Sequence, residues 1–584
     1  MAGTVAEIKY ITNPDGLAKS VSLMWDNFNS SRDPWLREKK ELRNYIFATD
    51  TSTTSNRTNG WGNSTTLPKL CQIRDNLHAN YLSALFPNDN WLSWQGHTEE
   101  DAELEKRRYI EAYMSNKTRE SGLRTVTSQL LLDFIDYGNA FAKVEYVHEE
   151  KILESGEVVP GYIGPRVVRI SPNDIVFDPR AATFAQSPTI VRTLKSIGEI
   201  KVMQKTIPQD SELYQSLEAA LDTRSRASMI KKEDFNKQDG MVADGFGSLY
   251  DYYTSNLVEI LTFEGTMHDP DTGELLEDVE ITVIDRSKVV SNRKIPSWFT
   301  GGTVRHVTWR LRPDNLWGMG PLDNLVGMQY RIDHLENMKA DVFDLIAYPP
   351  IVRKGIVDDF VWAPGVQIDL TEGSVEMLVP DTQALNADFL ISTLEQKMEE
   401  YAGAPREAMG IRTPGEKTAL EVSALMTAAG RIFQEKITTF EILLMEPILN
   451  DYLEQSRRNM DAVDYARVMD DDIGAMTLVS VTKEDITAKG TIRPIGARHF
   501  AAQAQTFQNL NGVMNSRIGQ VLEKHTDTTA LANMVEDLLN IERYGLFKKN
   551  QAVFEEADMQ RTSSSVQEDL SAESAVTNTG EIIE

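Results

Sequence analysis

The sequence predicts an α+β chain, mainly helical. Three observations carry that class: apolar residues recurring every three or four positions over long stretches, alternating runs that begin after Gly138, and two long helical patterns separated by a β-rich insert. At 584 residues the chain exceeds what one hydrophobic core serves, so several subdomains are expected. Hydrophobic residues at 41% and charged residues at 25% suit a folded globular protein and exclude collagen-like and wholly disordered chains.

The elements follow in order. Helices are predicted over Leu17–Phe47, Pro68–Leu85, Glu99–Ser115 and Ser121–Tyr137. Between the first two, Thr49–Thr66 is crowded with Thr, Ser, Asn and Gly and reads as a flexible surface loop. After Gly138 the period changes, with Ala140, Ala142, Val144 and Tyr146 alternating as in a strand. Arg166–Ile170 is a second strand, leading to Ile175-Val176-Phe177. Helices near Ser196–Lys205 and Asp210–Arg224 precede a mobile segment, Lys231–Gly247. Two strands, Leu257–Gly265 and Val279–Asp285, flank the turn residues His268 to Gly273 and form a hairpin. The Asp-rich turn lacks the ligand spacing of a dedicated calcium loop and reads as a plain turn.

From Pro321 to Ala347, Leu325, Met328, Ile332, Leu335, Met338, Val342 and Leu345 mark one helix face. Asp323, Arg331, Asp333, Asn337, Asp341 and Asp344 occupy the rest, and the helix would span roughly 40 Å. Tyr348-Pro349-Pro350 ends it, because proline has no amide to donate. A β insert, Ile351–Val379, leads to a second helix, Ala384–Tyr401, stopped by Gly403-Ala404-Pro405. After the loop Pro405–Lys417 the longest helical pattern starts at Thr418, and Pro447 should kink it. Short β segments, Leu478–Val481 and Thr491–Arg493, precede a last helical region, Ala501–Phe554. Residues 551–584 carry eight acids against Arg561 alone and read as a disordered acidic tail.

The 88 acidic residues against 60 basic give a net charge of -28, which opposes general attraction to DNA phosphates. A surface that DNA does not stick to is compatible with the same number. Cys71 is the single cysteine, so neither an intrachain disulfide nor a thiolate zinc cluster is available. Residues 1–10 show no secretory pattern, and no stretch approaches the roughly 18 apolar residues of a spanning helix, so a protein made in a cytoplasm is expected, with no membrane partner.

No enzyme site emerges. Gly410-Ile411-Arg412-Thr413-Pro414-Gly415-Glu416-Lys417-Thr418 imitates a phosphate loop, but Glu416 separates the second glycine from the lysine and puts negative charge where phosphate would sit. The acidic runs Asp358-Asp359 and Asp470-Asp471-Asp472 have no accompanying histidine and read as solvated charge rather than metal ligands. His334 and Glu336, two apart on a helix, cannot share a face. There is no nucleophile elbow and no zinc helix motif. Arg406, Arg412 and Lys417 sit in or beside the loop between two long helices. In a monomer they are an ordinary solvated loop, whereas a symmetric ring would turn them into a closed belt of positive charge.

The order of parts resembles a tailed-bacteriophage portal protein, or head-to-tail connector, most like those of short-tailed phages. The residues that carry the resemblance are Phe134-Ile135-Asp136-Tyr137-Gly138-Asn139-Ala140, Ile170-Ser171-Pro172-Asn173-Asp174-Ile175-Val176-Phe177-Asp178-Pro179, Trp317-Gly318-Met319-Gly320-Pro321-Leu322, Tyr348-Pro349-Pro350, and Lys417-Thr418-Ala419-Leu420-Glu421-Val422 opening a helix that runs past Glu446-Pro447. No single motif is specific; their order and spacing across residues 120–455 make the match.

The resemblance implies a portal fold with wing, stem, clip, tunnel loop and crown. The wing would be 1–320 with 460–500, the stem helices 321–347 and 384–403, the clip 348–383, the tunnel loop 404–417, the long kinked helix 418–459 and the crown 501–554, followed by the acidic tail 555–584. It further implies a homododecameric ring at one capsid vertex, assembled in the host cytoplasm and carried in the virion among major capsid and scaffold proteins. Double-stranded DNA would pass through it past Arg406, Arg412 and Lys417. Arg353, Lys354, Asp358 and Asp359 of the clip would dock the terminase large subunit and later the tail adaptor proteins. The expected role is non-enzymatic, with no cofactor and no metal. An internal virion or scaffold protein is the alternative, and a phage DNA-processing enzyme a more distant one.

Overall fold

The computed structural model describes residues 14–47, 62–63, 65–86, 91–98, 104–152, 158–209, 211–222, 257–268, 273–299, 301–357, 370–378, 382–403, 432–460, 463–469 and 476–494. The chain divides into two compact units, 1–466 with 480–497, and 467–479 with 498–584. The second is described only in strand residues 467–469 and 476–479; all other described elements belong to the first.

The first unit opens with helices α1 (Pro14–Ser31), α2 (Asp33–Phe47) and α3 (Lys69–Leu85), strand β1 (Leu92–Gly96), and helices α4 (Leu104–Glu120) and α5 (Leu123–Asp136). The alternation after Gly138 becomes β2 (Asn139–Ile152), the centre of an antiparallel sheet with β3 (Val158–Ile170) on one side and, across the later β4 to β8, β9 (Val304–Thr308) on the other. Phe141 faces Ile170 in one neighbour and His306 in the other.

Strands β4 (Ile175–Phe177), β5 (Thr189–Ser196), β6 (Leu257–His268), β7 (Leu275–Ile284) and β8 (Lys288–Lys294) form a second antiparallel sheet in chain order. Its period of two sorts its neighbours. Leu261, Phe263, Ile281 and Val283 point to α1, where Leu17, Val21 and Trp25 are buried. Val258 and Ile284 point to the opposite side and meet Ile200 of α6 (Ile197–Thr206) and Leu217 of α7 (Glu212–Asp222). Helix α6 begins where the sequence allows it, at a capping box in which Ser196 and Glu199 satisfy each other's backbone amides.

After the short hairpin β10 (Arg310–Arg312) and β11 (Asn315–Met319) comes α8 (Val326–Ala347). An antiparallel hairpin, β12 (Ile351–Val357) and β13 (Leu370–Met377), separates it from α9 (Asp388–Tyr401). Helical residues 432–440 continue through a π turn, Glu441–Met445, into α10 (Glu446–Asn459). Strands β14 (Val463–Met469) and β15 (Met476–Thr482) follow, and β16 (Gly490–Pro494) returns to pair with β1. The largest core joins Ile73, Leu77 and Tyr81 of α3, Phe134 of α5, Ile332 and Leu335 of α8, Met398 of α9, and Phe440, Ile448 and Tyr452 of the last long helix.

Several expectations are corrected. The single helix over Leu17–Phe47 is two helices broken at Arg32. Pro34 has no amide to offer the turn before it, and the buried Arg32 guanidinium donates instead to the carbonyls of Pro172 (2.6 Å), Asn173 (2.6 Å) and Ile175 (2.7 Å). Helix α4 runs on to Glu120, past the expected end at Ser115, because Lys117 is held by the Ile163 carbonyl at 3.0 Å and Asp464 at 2.7 Å. The long helix starts at Val326 rather than Pro321, after a 3-10 turn over Asp323–Leu325, and is about 33 Å long. Part of its polar side is covered: Asp333 and Asn337 are buried and accept from the amides of Leu67 and Thr65, at and just beyond the end of the segment read as a flexible loop. The strain expected at Pro447 is taken up by the π turn just before it. Strands β1, β5, β8 to β11 and β14 were not anticipated. The mobile segment 231–247, the crown and the acidic tail lie outside the described residues.

Candidate functional site

Three of the motifs that carry the resemblance, far apart in sequence, meet in space. Gly138, in the left-handed region at φ +69°, lies directly against the backbone of Met319 and Gly320. Asn139 closes the junction, its Oδ1 accepting from the Gly318 amide at 2.9 Å. Trp317 stacks on Phe177 with centroids 4.5 Å apart, and the Leu316 amide donates to the Pro179 carbonyl at 2.9 Å. These motifs are a structural junction where β2, β4 and the head of α8 are fixed together.

His306 belongs to the same junction. Its ring stacks on Phe141 (4.6 Å, 9°) and lies 4.6 Å from Phe184, and its Nε2 is 3.2 Å from Asn139 Oδ1. Burial among these rings lowers its pKa to about 3. The unfolded chain therefore binds the extra proton first, and the stability His306 contributes is present above pH 6.5 and lost as pH falls below it. The stability difference between the wild type and His306→Gln should shrink by roughly 1.4 kcal/mol from pH 8 to pH 5.5, measured by denaturant unfolding of both. An unchanged difference across that range would remove His306 as the titrating group.

The candidate functional surface is the module α8–hairpin–α9. Its first half is anchored. Leu325, Ile332 and Leu335 enter the main core, Lys39 of α2 pairs with Asp323 at the head of α8, and Lys69 of α3 pairs with Glu399 of α9 at 2.6 Å, both buried. The second half leaves that support. Met338, which the heptad-like spacing puts on the apolar face, is exposed, and Phe343 (52% exposed), Ile346 and Tyr348 follow it. On α9, Phe389 (84% exposed) and Leu390 are also uncovered, while Lys339 of α8 reaches Asp388 of α9 at 2.6 Å. Exposed apolar side chains thus gather at one end of the helix pair.

Of the residues read as clip contacts, Arg353 and Lys354 are exposed on β12, and Lys354 Nζ lies 3.3 Å from Glu376 of β13, diagonally across the hairpin. Such an exposed pair is worth a fraction of a kcal/mol, about 0.2 to 1, so it does not hold the hairpin together. Asp358 and Asp359 lie outside the described residues, as do Arg406, Arg412 and Lys417 of the expected tunnel loop. Among the described residues no group of three or more His, Cys, Asp or Glu side chains is disposed to hold a metal ion. No described helix is long and apolar enough to cross a membrane.

Sequence reasoning missed the ionic ties that hold this module to the rest, Lys39–Asp323 and Lys69–Glu399, and the two-pronged pair of Arg305 in β9 with Asp451 in α10 at 2.6 and 2.7 Å. Their members are 146 to 330 positions apart, and no local spacing marks them. Neither a comparison with known protein families nor one with curated proteins gives a match to this chain.

Proposed function

We propose that this chain is a portal-type subunit of a tailed bacteriophage. It assembles as a ring at one capsid vertex, conducts double-stranded DNA during packaging and ejection, and docks the terminase motor and then the tail adaptor proteins. The observation that carries the reading is the helix pair α8 and α9, joined by a two-stranded hairpin, anchored at one end in the core and uncovered in apolar side chains at the other. A monomer gains nothing from Phe343 and Phe389 in water, whereas a ring of identical subunits covers them. The net charge of -28 adds a surface that DNA does not adhere to, which suits passage.

The purified protein tests the reading through its native mass and averaged electron images. A closed ring of about twelve subunits with a central hole is expected. A compact dimer with ATPase or nuclease activity overturns the proposal. Within the ring, Arg412 and Lys417 touch the phosphate backbone during passage. Rings carrying Arg412→Ala and Lys417→Ala should package or retain less full-length DNA than wild type, scored by genome length in filled heads. Normal packaging and retention would remove these residues from the conduit.

A further inference from the structure

The buried polar side of α8 is a regular device. Gln329, Asp333, Asn337 and Asp341 recur every fourth residue, about 6 Å apart along a helix. Asn63 and residues 65–67 run past them, and alternate residues of an extended chain are about 6.6 Å apart. The two spacings nearly match, and the rungs fall into place in antiparallel order. The Asn63 amide donates to Asp341 Oδ1 at 2.6 Å, the Thr65 amide to Asn337 Oδ1 at 2.7 Å and the Leu67 amide to Asp333 Oδ1 at 3.0 Å. Asn337 Nδ2 returns a bond to the Thr65 carbonyl at 3.0 Å, and Gln329 Nε2 one to the Leu67 carbonyl at 2.6 Å. Gln329 Oε1 also accepts from the Leu70 amide at 3.3 Å, one of the amides that α3 leaves open at its start. These rungs hold Asn63, Thr65 and Leu67 through the main chain.

One rung carries an unmet demand. Asp333 is 1% exposed, and its Oδ1 takes both the Leu67 amide and Gln329 Nε2, the latter at 2.8 Å, while its buried Oδ2 accepts nothing. The ionisable groups around it do not neutralise it. From α2 come Tyr45, itself pushed up to about 12 by burial, and Glu41 beside it. Lys69 of α3 is committed to Glu399 of α9. Tyr330, His334, Asp341 and Asp344 share α8 with it.

We propose that Asn63, Thr65 and Leu67 form a proton-responsive clasp on α8, seated on the Gln329–Asp333–Asn337–Asp341 ladder, tightening in mild acid and loosening toward neutral pH. The clasp joins α8 to the start of α3, so its loosening uncouples the middle of the long helix from the helices behind it. It is independent of the portal reading.

The sign follows from which state holds the proton. Burial raises the Asp333 carboxyl from 3.8 to about 6, against the Leu67 and Gln329 bonds that lower it. Opening the clasp returns it to water and to its ordinary value. The seated state therefore binds more protons between those limits, and seating is favoured as pH falls through 6.

Hydrogen exchange of the full chain, corrected for the intrinsic pH dependence of the amides, reads the clasp directly at the amides of Asn63, Thr65 and Leu67. Protection in the wild type should be about fourfold greater at pH 5.5 than at pH 7.5, while amides of β6 and β7 serve as the unaffected control. Asp333→Asn keeps the acceptor and removes the charge, so its protection should be flat with pH. His334 is untouched in that variant, and a slope that survives there would assign the effect elsewhere and overturn the proposal. Asn337→Ala, which removes the middle rung, should lower protection at both pH values and keep the slope. A flat wild type, or protection unaltered in Asn337→Ala, would equally overturn it.

Discussion

Gly138→Ala should cost roughly 3–5 kcal/mol and leave little soluble protein, the largest effect expected of any single methyl group added to this chain. Two separate terms add at this position. The backbone is left-handed, at φ +69°, where any residue with a Cβ is strained. The new Cβ would also strike backbone rather than a yielding side chain: it would lie within contact of Gly320 N and 2.8 Å from Met319 O. Gly122 separates the two terms. Its φ is +71°, but a Cβ there meets nothing within 4 Å, so Gly122→Ala should cost only the strain, about 1 kcal/mol. Thermal midpoints of the two variants give the comparison. Equal shifts would mean that the junction of Gly138 with Met319 and Gly320 yields easily, and that the three motifs are not locked together there.

How much of this was legible in the sequence depended on whether the signal was local. The alternation of Ala140, Ala142 and Val144, the helix that starts near Ser196 and the proline stop after Ala347 are all written within a few residues, and each element stands where it was read. The seat of Asn63, Thr65 and Leu67 was not legible. A segment rich in Thr, Ser, Asn and Gly has no apolar period, and its partners on α8 are the acids and amides that any solvated helix face would show. Only the fold reveals that their four-residue step matches the two-residue step of an extended chain. Strand β1 was hidden for a related reason. Leu92–Gly96 is five residues long, and its pairing partner Gly490–Pro494 lies at the far end of the unit. The apolar face of α8 was read correctly in kind, but sequence could not say that Leu325, Ile332 and Leu335 would be covered while Met338 emerges.

On the proposed portal reading, Phe343→Asp combined with Phe389→Asp should abolish ring assembly and leave a folded subunit. Both rings are mostly in water within the subunit, 52% and 84% exposed, so their replacement removes little from the core. In an assembly each phenylalanine buried against a neighbour contributes about 1.5–3 kcal/mol. The aspartates would forfeit that and add the desolvation of charge, several kcal/mol for each. Because a closed ring repeats one interface, the same two changes weaken every contact in it. Native mass should then report monomer where the wild type gives a ring, with far-UV circular dichroism and the thermal midpoint unaltered. Rings that persist in the double variant would show that the uncovered end of α8 and α9 is not where subunits meet. A lowered midpoint in the monomer would instead assign Phe343 or Phe389 to packing within the subunit, and the loss of rings would then say nothing about the interface. The prediction therefore stands on both readings together: assembly lost, subunit unchanged.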